Sequence, residues 1–208
     1  MPITIYDVNG NPRSYSPVPH VCGAGGHTGG SGISRYYVAG MGGATALTTG
    51  APTANVLRAF PLRCPLRRGT IDLLAFNVTT LLAGNGRIGA YRNADSAGQN
   101  LYPGALIADS GDISTGAAGV KTFATSIAFS PGELLWLAYC SSAAATLRAL
   151  AVAGCETDTL GIDTAMGTAP GIGYSVAHTY GALPATFTAG GAVITAVPLP
   201  ALAARFSA

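Results

Sequence analysis

Nine acidic residues and three histidines are the side chains of this 208-residue chain that could support acid–base chemistry. Such catalysis needs two carboxylates at a fixed separation, or a histidine oriented by a partner. Six of the acids stand instead in turn-like contexts such as NADSAG, ADSGD and ETDTLGID, where an Asp side chain caps the backbone. These six are Asp7, Asp95, Asp109, Asp112, Asp158 and Asp163. We therefore expect no catalytic residue and no enzyme, although a glycosidase site assembled from distant strands would leave no local motif.

Two acidic clusters offer oxygen ligands of the kind that calcium prefers. One pairs Asp109 with Asp112, and the other contains Glu156, Asp158 and Asp163. Capped turns explain both clusters more simply, so we predict no metal site.

The cysteines show no C-x-x-C spacing and form no spaced ligand set with the histidines, which argues against a zinc ribbon or a thioredoxin-like motif. They are Cys22, Cys64, Cys140 and Cys155, and the histidines are His20, His27 and His178. Four cysteines could form two disulfides. The start MPITIYDVNG has no secretory signal, however, so we expect a reducing cytosol and free, mostly buried thiols.

Gly84, Gly86 and Gly89 match the dinucleotide-binding pattern G-x-G-x-x-G. That pattern binds a pyrophosphate only where a strand turns into a helix. Strand-like stretches flank it here, and Asn85-Gly86 is typical of a hairpin turn. We expect no cofactor.

Strand patterns surround all these positions. Three are GRIGAYR, GVKTFATSIAF and ELLWLAYC, and the last is apolar on both alternating faces, which predicts a strand covered on each side with Trp136 in the core. In TIDLLAFNVTT one face carries Leu74, Phe76 and Val78, and the other carries Ile71, Leu73 and Ala75. GALIAD predicts an edge strand. ATLRALAVAG could be a helix, but its alternation favours a strand, whereas LPALAARF predicts a short helix.

Eight or more short strands at intervals of roughly ten residues predict an all-β fold, a β-sandwich of jelly-roll-like type. Residues 1–35 differ from the rest because proline and glycine dominate them. We predict an extended attachment arm over 1–35 and a single sandwich domain over 36–208. The stretch ITIYDV is expected to pair as an added strand on a neighbouring subunit or a larger partner.

Charge is scarce: 10% of the residues are charged, and the mean hydropathy is +0.38. No apolar run is long enough to predict a membrane span. A surface so poor in charge indicates burial between subunits, and we expect a homo-oligomer, most simply a trimer. A monomer with an uncharged polar surface is the alternative.

Four of the ten arginines stand close together in VLRAFPLRCPLRRG, namely Arg58, Arg63, Arg67 and Arg68. The stretch lacks the aromatic ladder or the groove-binding helix of a nucleic-acid interface, so we expect no nucleic-acid partner. The guanidinium fork suits an acidic protein surface instead. The predicted partner-binding residues are Ile3, Ile5, Tyr6, Arg13 and Tyr15 in the arm, with Arg63, Arg67 and Arg68.

The chain resembles a β-sandwich domain common among virion proteins of tailed bacteriophages and their prophages, in fibres, spikes and decoration proteins. The phrases that carry the resemblance are VLRAFPLRCPLRRGTIDLLAFNVTT, RIGAYR, YPGALIADSG, AAGVKTFATSIAFSPGELLWLAY and YGALPATFTAG, over residues 55 to about 190. The resemblance implies a virion component, often trimeric, that is assembled in the host cytoplasm and bound to the major capsid or tail protein.

Four tyrosines near strand ends are expected to be exposed, where they could stack on a sugar or pack in an interface. They are Tyr91, Tyr102, Tyr174 and Tyr180. Two functions follow. The first is capsid decoration or stabilisation, as a cement protein or a short head fibre or spike. The alternative is a tail-fibre or tail-spike module that binds a host glycan. The chain has no repeats or heptads to form a long shaft, which favours decoration.

Overall fold

A computed structural model describes residues 3–6, 12–15, 36–41, 47–64, 68–95, 100–151, 159–160, 171–195 and 198–207. These residues contain sixteen strands and no helix. The strands are β1 (Ile3–Tyr6), β2 (Pro12–Tyr15), β3 (Tyr36–Val38), β4 (Leu47–Gly50), β5 (Val56–Arg63), β6 (Gly69–Thr80), β7 (Asn85–Asn93), β8 (Pro103–Asp109), β9 (Ile113–Ser114), β10 (Gly119–Phe129), β11 (Leu134–Ser141), β12 (Thr146–Leu150), β13 (Gly173–Ala177), β14 (Ala192–Ile194), β15 (Leu199–Pro200) and β16 (Ala203–Ser207).

Two antiparallel sheets pack face to face, so the predicted β-sandwich is confirmed. In the first sheet the strand order is β15-β12-β6-β16-β3, with β10 paired to β6 and β4 paired to β12. In the second sheet it is β14-β13-β5-β11-β7-β8, with β9 paired to β7. The stretch GALIAD is an edge strand, as predicted, because it forms β8.

Strand β11 has buried side chains on both faces, as its two apolar faces predict. Leu135, Leu137 and Tyr139 face the first sheet in the main core, where the Tyr139 ring lies 5.1 Å from the ring of Phe76. Trp136 lies on the opposite face, in a second core, and is fully buried. The second sheet therefore needs a cover on its outer side.

Strand β6 departs from simple alternation at Asp72. Its register shifts there against both neighbours, between Ala124 and Ile127 on β10 and between Arg205 and Phe206 on β16. Such a bulge breaks the alternation, so side chains before and after it no longer follow one continuous two-residue pattern. Ile71 consequently lies in the main core, so its predicted placement on the opposite face was wrong.

The C-terminal stretch LPALAARF forms strands β15 and β16, and the predicted helix is wrong. Strand β16 lies between β6 and β3 and pairs with both, which stabilises it far more than the local helix preference of Ala, Leu and Arg could. The stretch ATLRALAVAG was correctly predicted as a strand, because Thr146–Leu150 forms β12.

Two described strands lie within the predicted arm. Strand β1 pairs antiparallel with β2, with Ile3 opposite Tyr15 and Tyr6 opposite Pro12. The predicted strand at ITIYDV is therefore present, with its partner in the same chain. The other residues of the arm lie outside the described part of the structure.

Candidate functional site

The outer face of the second sheet is covered by residues 178–191, which we call the strap. The strap leaves β13 and returns to β14, at one edge of the sheet, yet it reaches β8 at the other edge. There the backbone N–H of Leu106 donates to the carbonyl of Ala185, and that of Phe187 donates to the carbonyl of Gly104, both at 2.9 Å. The strap therefore crosses the sheet and closes the second core.

Glycines of β7 make room for neighbouring side chains. A Cβ atom on Gly89 would lie 2.4 Å from Leu183 Cδ1 of the strap and 2.5 Å from the carbonyl oxygen of Ala108. A Cβ atom on Gly86 would lie 2.6 Å from the hydroxyl oxygen of Tyr139. Close packing thus explains two glycines of the G-x-G-x-x-G pattern. Both lie within strand β7, whereas a dinucleotide site requires a helix at this position.

The predicted hairpin turn at Asn85-Gly86 was wrong. Both residues lie within β7, where they pair with Ser114 and Ile113 of β9. Strands β6 and β7 belong to different sheets, so the link between them crosses the sandwich instead of closing a hairpin.

Arg87 of β7 forms ion pairs with two carboxylates that also hydrogen-bond to the strap. Its Nη1 donates to Asp109 Oδ2 at 2.7 Å, and its Nε donates to Asp112 Oδ1 at 2.9 Å. The hydroxyl of Tyr180, in the strap, donates to the same Asp112 oxygen at 2.9 Å. We call Arg87, Asp109, Asp112 and Tyr180 the polar cluster.

Asp109 also fixes backbone on two sides. Its Oδ1 accepts from the N–H of Gly111 at 3.0 Å, and its Oδ2 accepts from the N–H of Leu183 at 3.0 Å. The capped turn predicted at Asp109 is therefore present, together with contacts that the sequence did not indicate. Asp112 is held by side chains of Arg87 and Tyr180.

The protonation of the polar cluster suits a structural role. Hydrogen bonds from Arg87 and Tyr180 lower the pKa of Asp112. Burial and the hydrogen bond to Asp112 raise the pKa of Tyr180 to about 12. General acids and bases work best with a pKa near the operating pH, and both shifts move these groups away from neutrality. The hydrogen bonds from Tyr180 to Asp112 and from the Leu183 N–H to Asp109 connect the strap to the sheet.

Metal binding at Asp109 and Asp112 would compete with Arg87, which already forms an ion pair with each carboxylate. Within the described ranges, no three His, Cys, Asp or Glu side chains form a group that could hold a metal ion. The second predicted cluster, at Glu156, Asp158 and Asp163, lies outside the described residues.

The four tyrosines expected to be exposed are buried or half-buried, so that prediction was wrong. Tyr91 is fully buried, and its hydroxyl donates to the carbonyl of Pro184 at 3.1 Å. The Tyr102 and Tyr174 rings pack edge to face at 4.7 Å. Tyr180 belongs to the polar cluster. The strap causes the difference, because it covers the aromatic side chains that the outer face of the sheet would otherwise expose.

Two thiols fall in the described part of the chain, at Cys64 and Cys140, and both are free and buried, as predicted. Burial raises the pKa of the Cys64 thiol to about 12 and also raises the pKa of Cys140. A thiol with a raised pKa is a poor nucleophile at neutral pH. Cys22 and Cys155 lie outside the described residues.

The predicted partner-binding residues fall in two places. Ile3, Ile5 and Tyr6 lie on β1, and Arg13 and Tyr15 lie on β2.

The predicted arginines lie apart from these two strands. Arg63 ends β5 and Arg68 precedes β6, so both stand, exposed, at the same end of the sandwich. Arg67 lies outside the described residues. The two arginines are thus on the surface, as an interface role requires.

The sequence prediction missed an exposed apolar group at the opposite end. Leu81 and Leu82, which follow β6, are 57% and 46% exposed, and Val120 at the start of β10 is 57% exposed. Val120 pairs with Asn77 near the end of β6, and the N–H of Leu82 donates to the carbonyl of Thr115 at 3.3 Å, which places all three residues at one end. We call them the apolar end. The sequence feature that could have indicated this exposed group is the pair of leucines directly after the strand pattern TIDLLAFNVTT.

No described segment forms a long apolar helix of the kind that spans a membrane. Comparisons of the chain with protein-family models, curated proteins and solved structures yield no match.

Proposed function

We propose that the chain is a non-enzymatic structural protein of a tailed-bacteriophage virion. It decorates or stabilises the capsid, as a cement protein or a short head fibre or spike, and its N-terminal arm of residues 1–35 fastens it to the major capsid or tail protein. It works as a homo-oligomer, most simply a trimer.

The observation that carries this proposal is the apolar end. Leu81, Leu82 and Val120 are large, exposed and at the same end of the sandwich, in a chain with only 20 charged residues among 208, counting 11 basic and 9 acidic. Single exposed apolar residues are normal, whereas a group of them suits a surface that another protein covers. A component that spends its working life inside an assembly has such a surface.

The chemistry of the polar cluster supports a structural role over an enzymatic one. Each carboxylate is hydrogen-bonded to Arg87, and Asp109 also holds the backbone of Leu183. Groups committed in this way keep the strap in place and are not available to move a proton on a substrate.

Glycan binding by a tail fibre or tail spike is the second candidate, and the aromatic contacts count against it. A sugar stacks on the open face of an aromatic ring. Tyr102 instead packs against Tyr174 and Phe187, at 4.7 Å and 5.6 Å, and Tyr174 also packs against Trp136 at 5.6 Å. These rings build the second core, so decoration is the better proposal.

Imaging of the intact particle tests the proposal. We expect copies of this chain over the capsid lattice, and we expect none there from a variant that lacks residues 1–35. The truncated variant should still be folded, with unchanged β-sheet circular dichroism. Density confined to the tail tip would favour the glycan-binding function, and absence from purified virions would refute both.

Attachment through the sandwich itself is checked on the same particles. If the truncated variant still decorates them at full occupancy, the arm is not the anchor. Substitution of Arg63 and Arg68 by Ser would then show whether the end of the sandwich that carries these arginines is the anchor.

A further inference from the structure

Strand β10 presents the longest edge of the first sheet. It spans eleven residues, Gly119–Phe129, and among the described strands it pairs only with β6. Its register with β6 is regular from Gly119 to Ala124, before the bulge. At the far end, Arg92 Nη2 donates to the carbonyl of Ala128 at 3.1 Å. The regular stretch is therefore the part of this edge that can accept another strand.

The composition of this stretch suits strand addition. Residues 119–124 include no proline, so every peptide group keeps its N–H donor. Val120, Thr122 and Ala124 are exposed and uncharged, and none of their side chains is longer than that of a valine. The one charged residue, Lys121, is opposite Phe76 of the core, so it projects toward the other face. A strand placed beside residues 119–124 of β10 would therefore meet no charged side chain on the outer face.

Among the sheets that the described strands form, the one made of β1 and β2 has two strands and lacks a third. Among the described strands, β1 and β2 pair only with each other. A two-stranded hairpin is marginally stable alone and gains stability from a third strand. Strand β2 begins with Pro12, which has no N–H and is suited to an outermost position. Strand β1 has the sequence ITIY, without charge or proline, so its second edge is the one suited to further pairing.

We propose that β1 of one copy adds to the β10 edge of a second copy, so that the order β6-β10-β1-β2 runs across the subunit boundary. This inference rests on the proposed role in an assembly and names the surface that receives the arm. Main-chain hydrogen bonds give such strand addition its affinity. Because the donor hairpin and the acceptor edge are different surfaces, the contact is head to tail and can close into a ring, as a trimer requires.

The chain is long enough for the exchange. Twenty residues, 16–35, separate β2 from β3. Fully extended, twenty residues span about 66 to 72 Å, which exceeds the roughly 40 Å diameter of a domain of this size. A neighbouring copy is therefore within reach. The β10 edge of the same chain is also within reach, and the experiment must separate the two.

Cross-linking between two populations of the protein with different cysteine substitutions distinguishes pairing between copies from pairing within one chain. One population carries Ile5→Cys and the other carries Thr122→Cys, both in a Cys22→Ser/Cys155→Ser background. A short bismaleimide is added to the mixed, purified full-length protein. Any product that joins the two substituted residues is intermolecular by design. Val193→Cys, an exposed position on the edge strand β14 of the other sheet, replaces Thr122→Cys in the matched control.

We expect at least tenfold more 5–122 product than 5–193 product, and a chain carrying both Ile5→Cys and Thr122→Cys should give a ladder that ends at a closed ring. Equal yields at the two positions would overturn the inference. A doubly substituted chain that cross-links only within itself at high dilution would also overturn it, because the hairpin would then cover its own β10. These measurements need no particle, so their failure would leave the virion role to be decided by imaging, and absence from virions would leave a positive cross-link standing.

Discussion

Arg205 and Asp72 form a bidentate ion pair at the bulge between β16 and β6. Arg205 Nε donates to Asp72 Oδ1 at 2.9 Å, and Nη2 donates to Asp72 Oδ2 at 2.7 Å. Both side chains are about one third exposed. The pair lies where β6 loses its regular alternation, so it fixes the register of β16 at the irregular point.

This ion pair should make stability depend on pH in the acid range. The hydrogen bond from Arg205 lowers the pKa of Asp72 below its unfolded value of about 3.9. A carboxylate with a lowered folded pKa stabilises the fold above its unfolded pKa, and that contribution is lost as the pH falls through the folded value. Asp72→Asn should therefore lower the urea midpoint slightly at pH 7 and have almost no effect near pH 2. Urea titrations of both proteins at several pH values measure this convergence.

Arg205→Lys is the matched control, because it keeps the positive charge and removes the bidentate fork. It should retain part of the pH dependence. A constant difference between wild type and Asp72→Asn from pH 7 to pH 2 would contradict a role for the ionised carboxylate.

Gly89→Ala should destabilise the fold strongly. The new methyl group would meet Leu183 Cδ1 and the carbonyl of Ala108, and overpacking of this kind costs about 1–3 kcal/mol or more. Gly116→Ala is the control, because its added Cβ would approach only Ser114 Oγ, at 3.4 Å. Denaturant unfolding of both variants gives the comparison.

A second substitution separates the two clashes at Gly89. Combining Gly89→Ala with Leu183→Ala should recover only part of the loss, because the backbone carbonyl of Ala108 cannot move away as a side chain can. Full recovery would show that the clash with Leu183 of the strap accounts for the whole loss of stability.

Asp109→Ala should cost more stability than Asp112→Ala. The Asp109 side chain is 20% exposed and accepts from Arg87, Gly111 and Leu183, whereas that of Asp112 is 54% exposed. Loss of hydrogen bonds to a charged group costs about 1.5–3 kcal/mol at Asp109. Hydrogen exchange should also show faster exchange in the strap of the Asp109 variant. Loss of a hydrolytic activity on bacterial polysaccharide in either folded variant would instead reveal an enzyme.

Cys64 and Cys140 should resist alkylation in the folded protein. Both are buried, and burial raises the pKa of each thiol, so little thiolate is present at pH 8. Iodoacetamide treatment followed by peptide mass spectrometry should find both unmodified without denaturant and both modified in 8 M urea. Rapid native labelling of Cys64 would mean that the end of β5 opens frequently.

Local patterns predicted the central part of the fold well. ELLWLAYC has apolar residues on both faces, and this signal is contained within one strand, so the burial of β11 on both faces, with Trp136 in the core, could be predicted without knowledge of the neighbouring strands. The same holds for GALIAD, whose position at an edge agrees with its short length.

Errors arose where distant residues decide the structure. LPALAARF has local helix formers, but the gap between β6 and β3 that it fills is set by residues more than 120 positions away. The polar cluster joins Asp112 to Arg87 over 25 residues and to Tyr180 over 68. The exposure of the tyrosines depended on the strap, whose path across the sheet leaves no periodic signal. The partner-binding role of the arm and of the arginines stays a prediction.

The position of β16 between β6 and β3 sets a condition on biosynthesis. The first sheet cannot close until residue 207 has emerged from the ribosome, because residues 203–207 supply the strand that joins two others made much earlier. At about 5–20 residues per second, the 127 residues that follow β6 take about 6 to 25 s to translate. During that interval the nascent chain carries an open β6 edge, so ribosome-bound chains stopped before residue 203 should recruit chaperones and should not acquire protease resistance.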